Sequence, residues 1–438
     1  MVKRRMVAVI VASVLATAAS IVTGGVAGAD HKPVNFDKLK LIKEPASCDE
    51  PDQGITDDTI KVGVISILSG PQATSFAPST MQGIEARVER ANTTGELGDR
   101  QIELLPVDDA ADPARNLTAA QQLNEEEQVF GVISQTNVAK GGAEYLHEEG
   151  VPVTGWHIGE GVWGIYENMF SWRPSQPPDP RTIFTLRTAE VLKELGAKKI
   201  AVVGSNSESS AVNTAQTVTA VENTKGLKLV YDTADVTPEQ QDFTGIAAQI
   251  KDSGADGLYM AIAGLQASGL LQALDQAGVE LKVRVLPGGY DDRAAGLAGY
   301  EGSYVGTEFA PLEVNAPGHQ QYIEDMEALG YDPLRFFSIH GYLGANMFIE
   351  GIKAAGVGCP TREAFINNLR LLEDYDLDGF FVPADYAKVF GRPQLCIYYL
   401  QIEDAAFVPI FDGEPFCASH VSDDGKIRKV KKSERAIG

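Results

Sequence analysis

The stretch from Thr59 to Pro71, TIKVGVISILSGP, constrains the fold more than any other part of the chain. Ile60, Val62, Val64, Ile65, Ile67 and Leu68 fall on both faces of any strand drawn through it. Such a strand must be covered on both sides, which predicts a parallel sheet flanked by helices. In these sheets ligands bind beyond the carboxyl ends of the strands. Here that end is Ser69-Gly70-Pro71-Gln72, and the stripe Met81, Ile84, Val88, Ala91 predicts a helix directly after it.

The first residues read as an export signal. Lys3, Arg4 and Arg5 precede an apolar run from Met6 to about Val22, and Ala27-Gly28-Ala29 forms a small-x-small cleavage site, so maturation is expected before Asp30. Ser13, Thr17, Ser20 and Thr23 interrupt the run, which disfavours a membrane anchor. Cys48 follows Pro45-Ala46-Ser47, a poor acylation site because Pro replaces the aliphatic residue and charges separate it from the apolar run. An exported chain, periplasmic or extracellular and cell-wall associated, and not an obvious lipoprotein, is therefore expected. The net charge of −23 argues against nucleic acid as a partner, since phosphate binding needs a positive footprint. The same acidity bears on solubility and not on fold.

Four cysteines in an exported chain suggest two disulfides with three possible connectivities. The preferred pairing is Cys359 with Cys396, joining a helix end to a tail strand, and Cys48 with Cys417. No CxxC and no histidine at zinc-ligand spacing occurs, so neither metal nor cofactor is expected.

The chain alternates strand and helix twice. Strands are predicted at Ile102 to Val107, Val129 to Ile133 and Val151 to Thr154, with Asp112-Pro113 opening one helix and Val138 to Glu149 forming another. Trp172 to Pro178 is too rich in proline to continue either element. Four further strands follow at Lys199 to Val203, Leu227 to Tyr231, Gly257 to Ile262 and Val283 to Leu286, separated by helices from Glu208, Asp242 and Gln266. A long helix is expected from Phe336 to Ala355, then strands at Cys396 to Ile402 and Phe407 to Phe411. These tail elements lack a sheet of their own and are expected to complete the two earlier ones. The fold class is α/β, two doubly wound lobes in tandem.

At this point the chain resembles the type I periplasmic binding proteins, specifically the leucine/isoleucine/valine-binding family of ABC-transporter solute receptors. The resemblance spans about residues 57–412. It rests on Asp58-Thr59-Ile60-Lys61-Val62-Gly63 leading into Leu68-Ser69-Gly70-Pro71, Asp108-Asp109 with Asp112-Pro113, Asp242-Phe243-Thr244, Gly254-Ala255-Asp256, and Glu301-Gly302 before Tyr304. It implies a three-crossover hinge, with crossings near Trp172 to Ser175, Thr307 to Pro311 and Phe380 to Asp385. The expected organisation is a signal at 1–29, an extended lead-in at 30–56, lobe one at 57–173 plus 309–382, lobe two at 174–308 plus 383–420, and a charged tail at 421–438.

The resemblance also implies a cleft site. On the first lobe its loops map to Ser69, Gln72 and Phe76, to Gln135, Thr136 and Asn137, and to Trp156 and His157. Backbone N-H groups and hydroxyls at such strand ends suit an anionic ligand group. Thr136 and Asn137 equally suit a helix cap, and Trp156 suits either a ligand wall or an interlobe core. On the second lobe the loops hold Ser207, Glu208, Gly264, Gln266, Tyr290 and Asp291. The aromatic and acid that amino-acid binders usually place in these loops are missing, which leaves Glu208 and Asp291 as candidate replacement acids; Glu208 equally suits the first turn of a helix, where the dipole favours an acid, and Tyr290 suits either a second aromatic wall or surface packing. The implied solute is a small apolar or aromatic acid or amide rather than an α-amino acid, handed by a monomer to a membrane permease.

Other chemistries find little footing. Gly159 to Gly164 fits GxGxxG by letter but follows no long strand into a helix. His147-Glu148-Glu149 lacks the second histidine of a zinc protease, and no G-x-S-x-G elbow occurs, so the chain is not expected to be an enzyme. A ligand sensor of the same fold, signalling to a separate partner, remains the alternative.

Overall fold

A computed structural model of the chain describes residues 36–430, apart from 159, 176, 180, 181, 238, 287 and 423. The expected signal and its cleavage point lie outside the described residues, as do the start of the lead-in, the end of the charged tail, and Gly159 of the glycine motif.

Five strands form the first sheet: β1 (Thr59–Ser66), β2 (Gln101–Asp108), β3 (Gly131–Gln135), β4 (Val153–Gly155) and β5 (Met169–Ser171). All pair in parallel, in the order β2-β1-β3-β4-β5. In β1, Val62, Gly63, Val64, Ile65 and Ser66 are all buried, as its two-faced apolar pattern requires. After β6 (Phe184–Thr185) the second sheet begins with β7 (Lys199–Ser205), β8 (Lys228–Val236), β9 (Gly257–Ala261), β10 (Val283–Leu286) and β11 (Tyr304–Thr307). The order β8-β7-β9-β10-β11 repeats that of the first sheet. Both lobes are thus doubly wound, with switch points at β1/β3 and at β7/β9, where ligand sites form in such sheets.

The tail completes both lobes. The helix Phe336–Ala355 lies on β3 and β4 and against the helix Ser79–Thr94. Glycines allow that approach: a Cβ at Gly83 would meet the Ser338 carbonyl oxygen at 1.9 Å, and one at Gly341 the Thr80 oxygen at 2.2 Å. The strands β12 (Cys396–Glu403) and β13 (Ala406–Pro409) extend the second sheet antiparallel beyond β11. The chain therefore leaves the first sheet after Ser171, leaves the second after Thr307 and returns to it before Cys396.

Three expectations are corrected. The preferred disulfide pairing is replaced by Cys48–Cys359 and Cys396–Cys417. Cys396 and Cys417 face each other where β12 pairs with β14 (Phe416–Cys417). The lead-in runs beside the region of residue 359, where the Cys359 N-H donates to Glu44 Oε1 at 2.7 Å and the Ile42 N-H donates to Asn368 Oδ1 at 2.9 Å. The single helix from Val138 to Glu149 is instead a 3-10 turn, Ala139–Gly141, and a short helix, Ala143–Glu148. The break falls at Gly141-Gly142, and a Cβ at Gly141 would lie 2.0 Å from the Pro113 carbonyl oxygen. Finally, the segment assigned to a charged tail contributes Val421 of β15 (His420–Val421), which pairs with β6, and all of β16 (Ile427–Arg428), which pairs with β15, in a small third sheet.

Candidate ligand-binding site

A cavity of about 440 Å³ opens between the two lobes and reaches into the second. Trp156, His157 and Ile158, which follow β4, line it on the first-lobe side. Ser205, the last residue of β7, Ser207 just after it, and Ala263 and Gln266 beyond β9 line it on the other, at the switch point of the second sheet. Phe336, at the start of the long helix, closes part of the wall.

Trp156 stacks on His340 with ring centroids 3.8 Å apart and meets Phe336 edge-on at 5.6 Å. It is both wall and core. His157 is buried, and its Nε2 lies 2.8 Å from the Pro174 carbonyl oxygen. Burial, together with the nearby Arg173 charge, holds the His157 imidazole well below its ordinary pKa despite that carbonyl. His340 is pushed the same way by burial, by Arg173 and by His157. Both rings are neutral at pH 7, so the positive charge at the site comes from arginine.

Two arginines supply it, one from each side of the Pro-rich break. Arg173 is buried just beyond β5, and Arg187 begins the helix Arg187–Glu194. Arg173 donates from Nη1 to Gln394 Oε1 at 3.0 Å and from Nη2 to the His157 carbonyl oxygen at 2.9 Å. Its Nη1 also lies 2.9 Å from Glu308 Oε1. Arg187 donates from Nη1 to the Gln394 carbonyl oxygen at 3.0 Å, and Gln394 Nε2 donates to the Glu308 carbonyl oxygen at 3.1 Å. Burial lowers the Arg173 pKa to about 10, with Glu308 opposing and Arg187 adding to the shift. Two guanidinium charges thus face one carboxylate. Around them Arg173 Nε, Arg187 Nε, Trp156 Nε1, Glu308 Oε2 and both ring nitrogens of His340 are buried without a hydrogen-bond partner. Buried polar atoms are nearly always paired, so this concentration beside a cavity makes the cluster the candidate site for a polar ligand.

Of the residues singled out in the sequence, Trp156, His157, Ser207 and Gln266 line the cavity, and the others sit elsewhere. Ser69 donates to Asp108, which also accepts from the Leu68 N-H at 2.8 Å. Gln72 accepts from Asn137 Nδ2 at 2.8 Å. Phe76 packs on Phe337 at 4.2 Å. Gln135 donates to the His340 carbonyl oxygen, and the Thr136 hydroxyl accepts from the Val138 N-H. Glu208 pairs with Lys140 across the mouth. Gly264 opens a helix at φ +57°. Tyr290 is fully buried away from the cavity, with its hydroxyl 2.6 Å from Glu313, so it forms no ligand wall. Asp291 caps a short helix and pairs with Arg293 at 2.7 Å, which leaves it no role as an ammonium clamp. Gly161–Gly164 of the glycine motif is a 3-10 turn, not a phosphate loop. Sequence reasoning missed Arg173, Arg187, Glu308, His340 and Gln394. The available signal was Arg173 itself, a charge between Trp172 and Pro174 at a predicted crossing.

A family model described as periplasmic binding protein matches residues 59–406. The chain belongs to that family. Its two doubly wound α/β lobes are those of the family's solved members, and several of the proteins it is similar to are leucine/isoleucine/valine-binding proteins. It is 28% identical over 308 residues to the Leu/Ile/Val-binding protein homolog 3 of Brucella melitensis biotype 1, covering 68% of this chain and 79% of that one. A branched-chain amino acid ABC transporter structure from Thermus thermophilus with bound valine superposes with a TM-score of 0.70 at 16% identity, covering 83% of this chain and 98% of that one. An ABC-transporter solute-binding protein from R. palustris in complex with 4-hydroxybenzoate gives a TM-score of 0.67 at 23% identity, covering 82% and 98%. The two solved relatives are named as ABC-transporter proteins with a bound solute, and binding rather than catalysis is what the family's description names. Among the described residues no helix is long and apolar enough to cross a membrane, and no group of three or more metal-ligating side chains occurs.

Proposed function

We propose that this protein is exported and captures a small organic carboxylic acid between its lobes, then releases it to the membrane permease of an ABC importer. The observation carrying this reading is the excess of guanidinium over carboxylate at Arg173, Arg187 and Glu308, with Arg173 Nε and Arg187 Nε unpartnered. A ligand carboxylate there would neutralise the cluster and accept hydrogen bonds that the protein leaves unmade. Each such charge-assisted bond is worth roughly 1.5–3 kcal/mol. Trp156, Phe336 and Ile158 supply apolar surface for the rest of the solute. Valine and 4-hydroxybenzoate, the ligands of the two structural relatives, share a carboxylate, which supports that group as the common handle.

A second reading rests on Glu308 Oε2, which is buried beside the cavity without a hydrogen bond and faces only the neutral His340 ring, whose Nε2 lies 3.7 Å away. It suits an ammonium, and so an α-amino acid. Thermal shift with benzoate, 4-hydroxybenzoate, benzamide and valine separates the two. At 100 times its dissociation constant a ligand adds about 2.7 kcal/mol. Stabilisation by the acids and not by benzamide supports the acid reading, and stabilisation by valine alone replaces it with the second. No response to any probe that carries a carboxylate refutes both. Recovery of the bound acid chemically unchanged distinguishes capture from catalysis, and compaction in small-angle scattering on its addition tests lobe closure.

A further inference from the structure

The cavity does not end at the arginines. It continues into the second lobe along the helix Glu208–Asn223, which lines it with Val212, Asn213, Gln216, Thr217 and Ala220, a stripe at three- and four-residue spacing. A helix covering a sheet normally turns an apolar stripe inward. Here the inward stripe carries an amide pair and a hydroxyl. The lining from Ser209 to Ala220 follows about 16 Å of helix at roughly 1.5 Å per residue.

The facing floor is made by the second sheet. Tyr259 of β9 donates its hydroxyl to Asn213 Oδ1 at 2.7 Å, a polar pair spanning from sheet to helix. Gly306 of β11 leaves room beside Ile397 and Tyr399, where an added Cβ would lie 2.9 Å and 3.2 Å from their side chains. Beyond Arg187 this arm is lined by no charged residue. At about 30 Å³ per water-sized group, the whole cavity holds roughly 15 such groups, well beyond the non-hydrogen atoms of valine or benzoate.

We infer that the second-lobe arm of the cavity binds the far end of an elongated acid, and that this end carries a neutral hydrogen-bonding group. This deepens the acid reading above and rests on it. The carboxylate stays at Arg173 and Arg187, the middle of the ligand passes the apolar wall, and the neutral end meets Asn213, Thr217 and Tyr259. A second charge is disfavoured, because nothing in the arm compensates it.

Calorimetric titration of the full mature chain with benzoate, 4-phenylbutanoate and 4-(4-hydroxyphenyl)butanoate tests this. The expected order of affinity rises from the first to the last, with at least tenfold between the ends. Thr217→Leu should weaken the hydroxylated long acid at least tenfold and change benzoate by less than threefold. Asn213→Leu, on the same face, provides the check if Thr217→Leu does not fold. Equal binding of short and long acids, unmoved by either folded variant, overturns the inference while leaving the acid site standing. No binding of any of the three removes both.

Discussion

Arg173 donates to Gln394 Oε1 over 3.0 Å, so the segment leaving the first sheet is tied to the segment returning to the second. Glu308, directly after β11, joins the same pair through Arg173 at 2.9 Å and through its carbonyl oxygen to Gln394 at 3.1 Å. All three crossings of the chain therefore meet in one ionic cluster on the cavity wall. Hinge motion in two-lobed proteins is absorbed by a few residues at such crossings. On the proposed reading, a ligand that neutralises this cluster would bind where the lobes pivot and would couple occupancy to closure.

Arg187→Met should weaken a bound carboxylate by roughly tenfold to hundredfold, the equivalent of about 1.5–3 kcal/mol for a lost charge-assisted interaction. Its effect on stability should be small, because Arg187 is only partly buried and holds one backbone carbonyl. Arg173→Met should cost both, since it leaves Glu308 without its ion-pair partner. Titration calorimetry beside urea denaturation separates the effects. Unchanged acid affinity in Arg187→Met would remove that guanidinium from the site.

Trp156→Ala should destabilise the protein by about 3–5 kcal/mol, because it empties a buried ring position, and should also weaken ligand binding. Trp156→Phe retains a face for His340 and should recover most of the stability. Its effect on affinity then reports the contribution of Trp156 to the site, ring area and the buried, unpartnered indole Nε1 together.

Both disulfides should stabilise, the longer closure more. In the chain-entropy account the separation of 21 between Cys396 and Cys417 is worth about 3 kcal/mol, and that of 311 between Cys48 and Cys359 roughly 5–6 kcal/mol. Serine pairs at each bridge, compared by urea midpoint, should show that order. Peptide mapping without reduction should recover peptides joining residue 48 to 359 and 396 to 417, and a 359-to-396 link would contradict the observed topology.

Both sheets were legible because β1, β7, β9 and β10 are apolar enough on both faces to admit only a covered parallel arrangement. Periodicity gave the helix Phe336–Ala355 to the residue and the first residue of Glu208–Asn223. The disulfides were misread because a polar, aperiodic lead-in carries no signal of where it docks. The cationic cluster was hidden differently. Arg187 and Gln394 look like ordinary surface residues in sequence, and they become partners, Gln394 buried and Arg187 partly so, only when two crossings converge. His340 lies inside an apolar helix stripe, where nothing local separates it from a packed core residue.

Acid should destabilise the fold in two stages. His157, His340 and His319 bind protons less readily folded than unfolded: burial pushes all three down, Arg173 adds to the shift of the first two, and His319 falls to about 4. The unfolded chain then takes up more protons below about pH 6.5, so stability declines as pH falls from there. Glu96 governs the second stage. Its burial acts to raise the pKa, but Arg87 and Lys353 outweigh it and hold the carboxyl at about 2. Its contribution is complete above about pH 4.5 and is lost as pH falls toward about 2. Glu96→Gln should cost roughly 2–3 kcal/mol at pH 7, because buried Arg87 loses its charged partner, and should flatten the curve only in the lower window. Urea midpoints measured from pH 8 to pH 3 test both stages. A flat profile between pH 6.5 and pH 5 would contradict the first.

Lys140, which follows β3, and Glu208, at the start of a second-lobe helix, pair across the cavity mouth. The pair exists only while the lobes are near each other, so it favours the closed arrangement. Its magnitude is limited, because the Glu208 side chain is 69% exposed and exposed ion pairs contribute about 0–1 kcal/mol. Glu208→Gln should therefore reduce acid affinity by less than about fivefold. The loss should appear chiefly as faster dissociation, and it should shrink as salt is raised, since exposed charges are screened. Glu208→Lys replaces attraction with repulsion and should roughly double the effect. Stopped-flow release rates at low and high salt check this. A loss as large as that expected for Arg187→Met would place Glu208 among the ligand contacts instead of at the mouth.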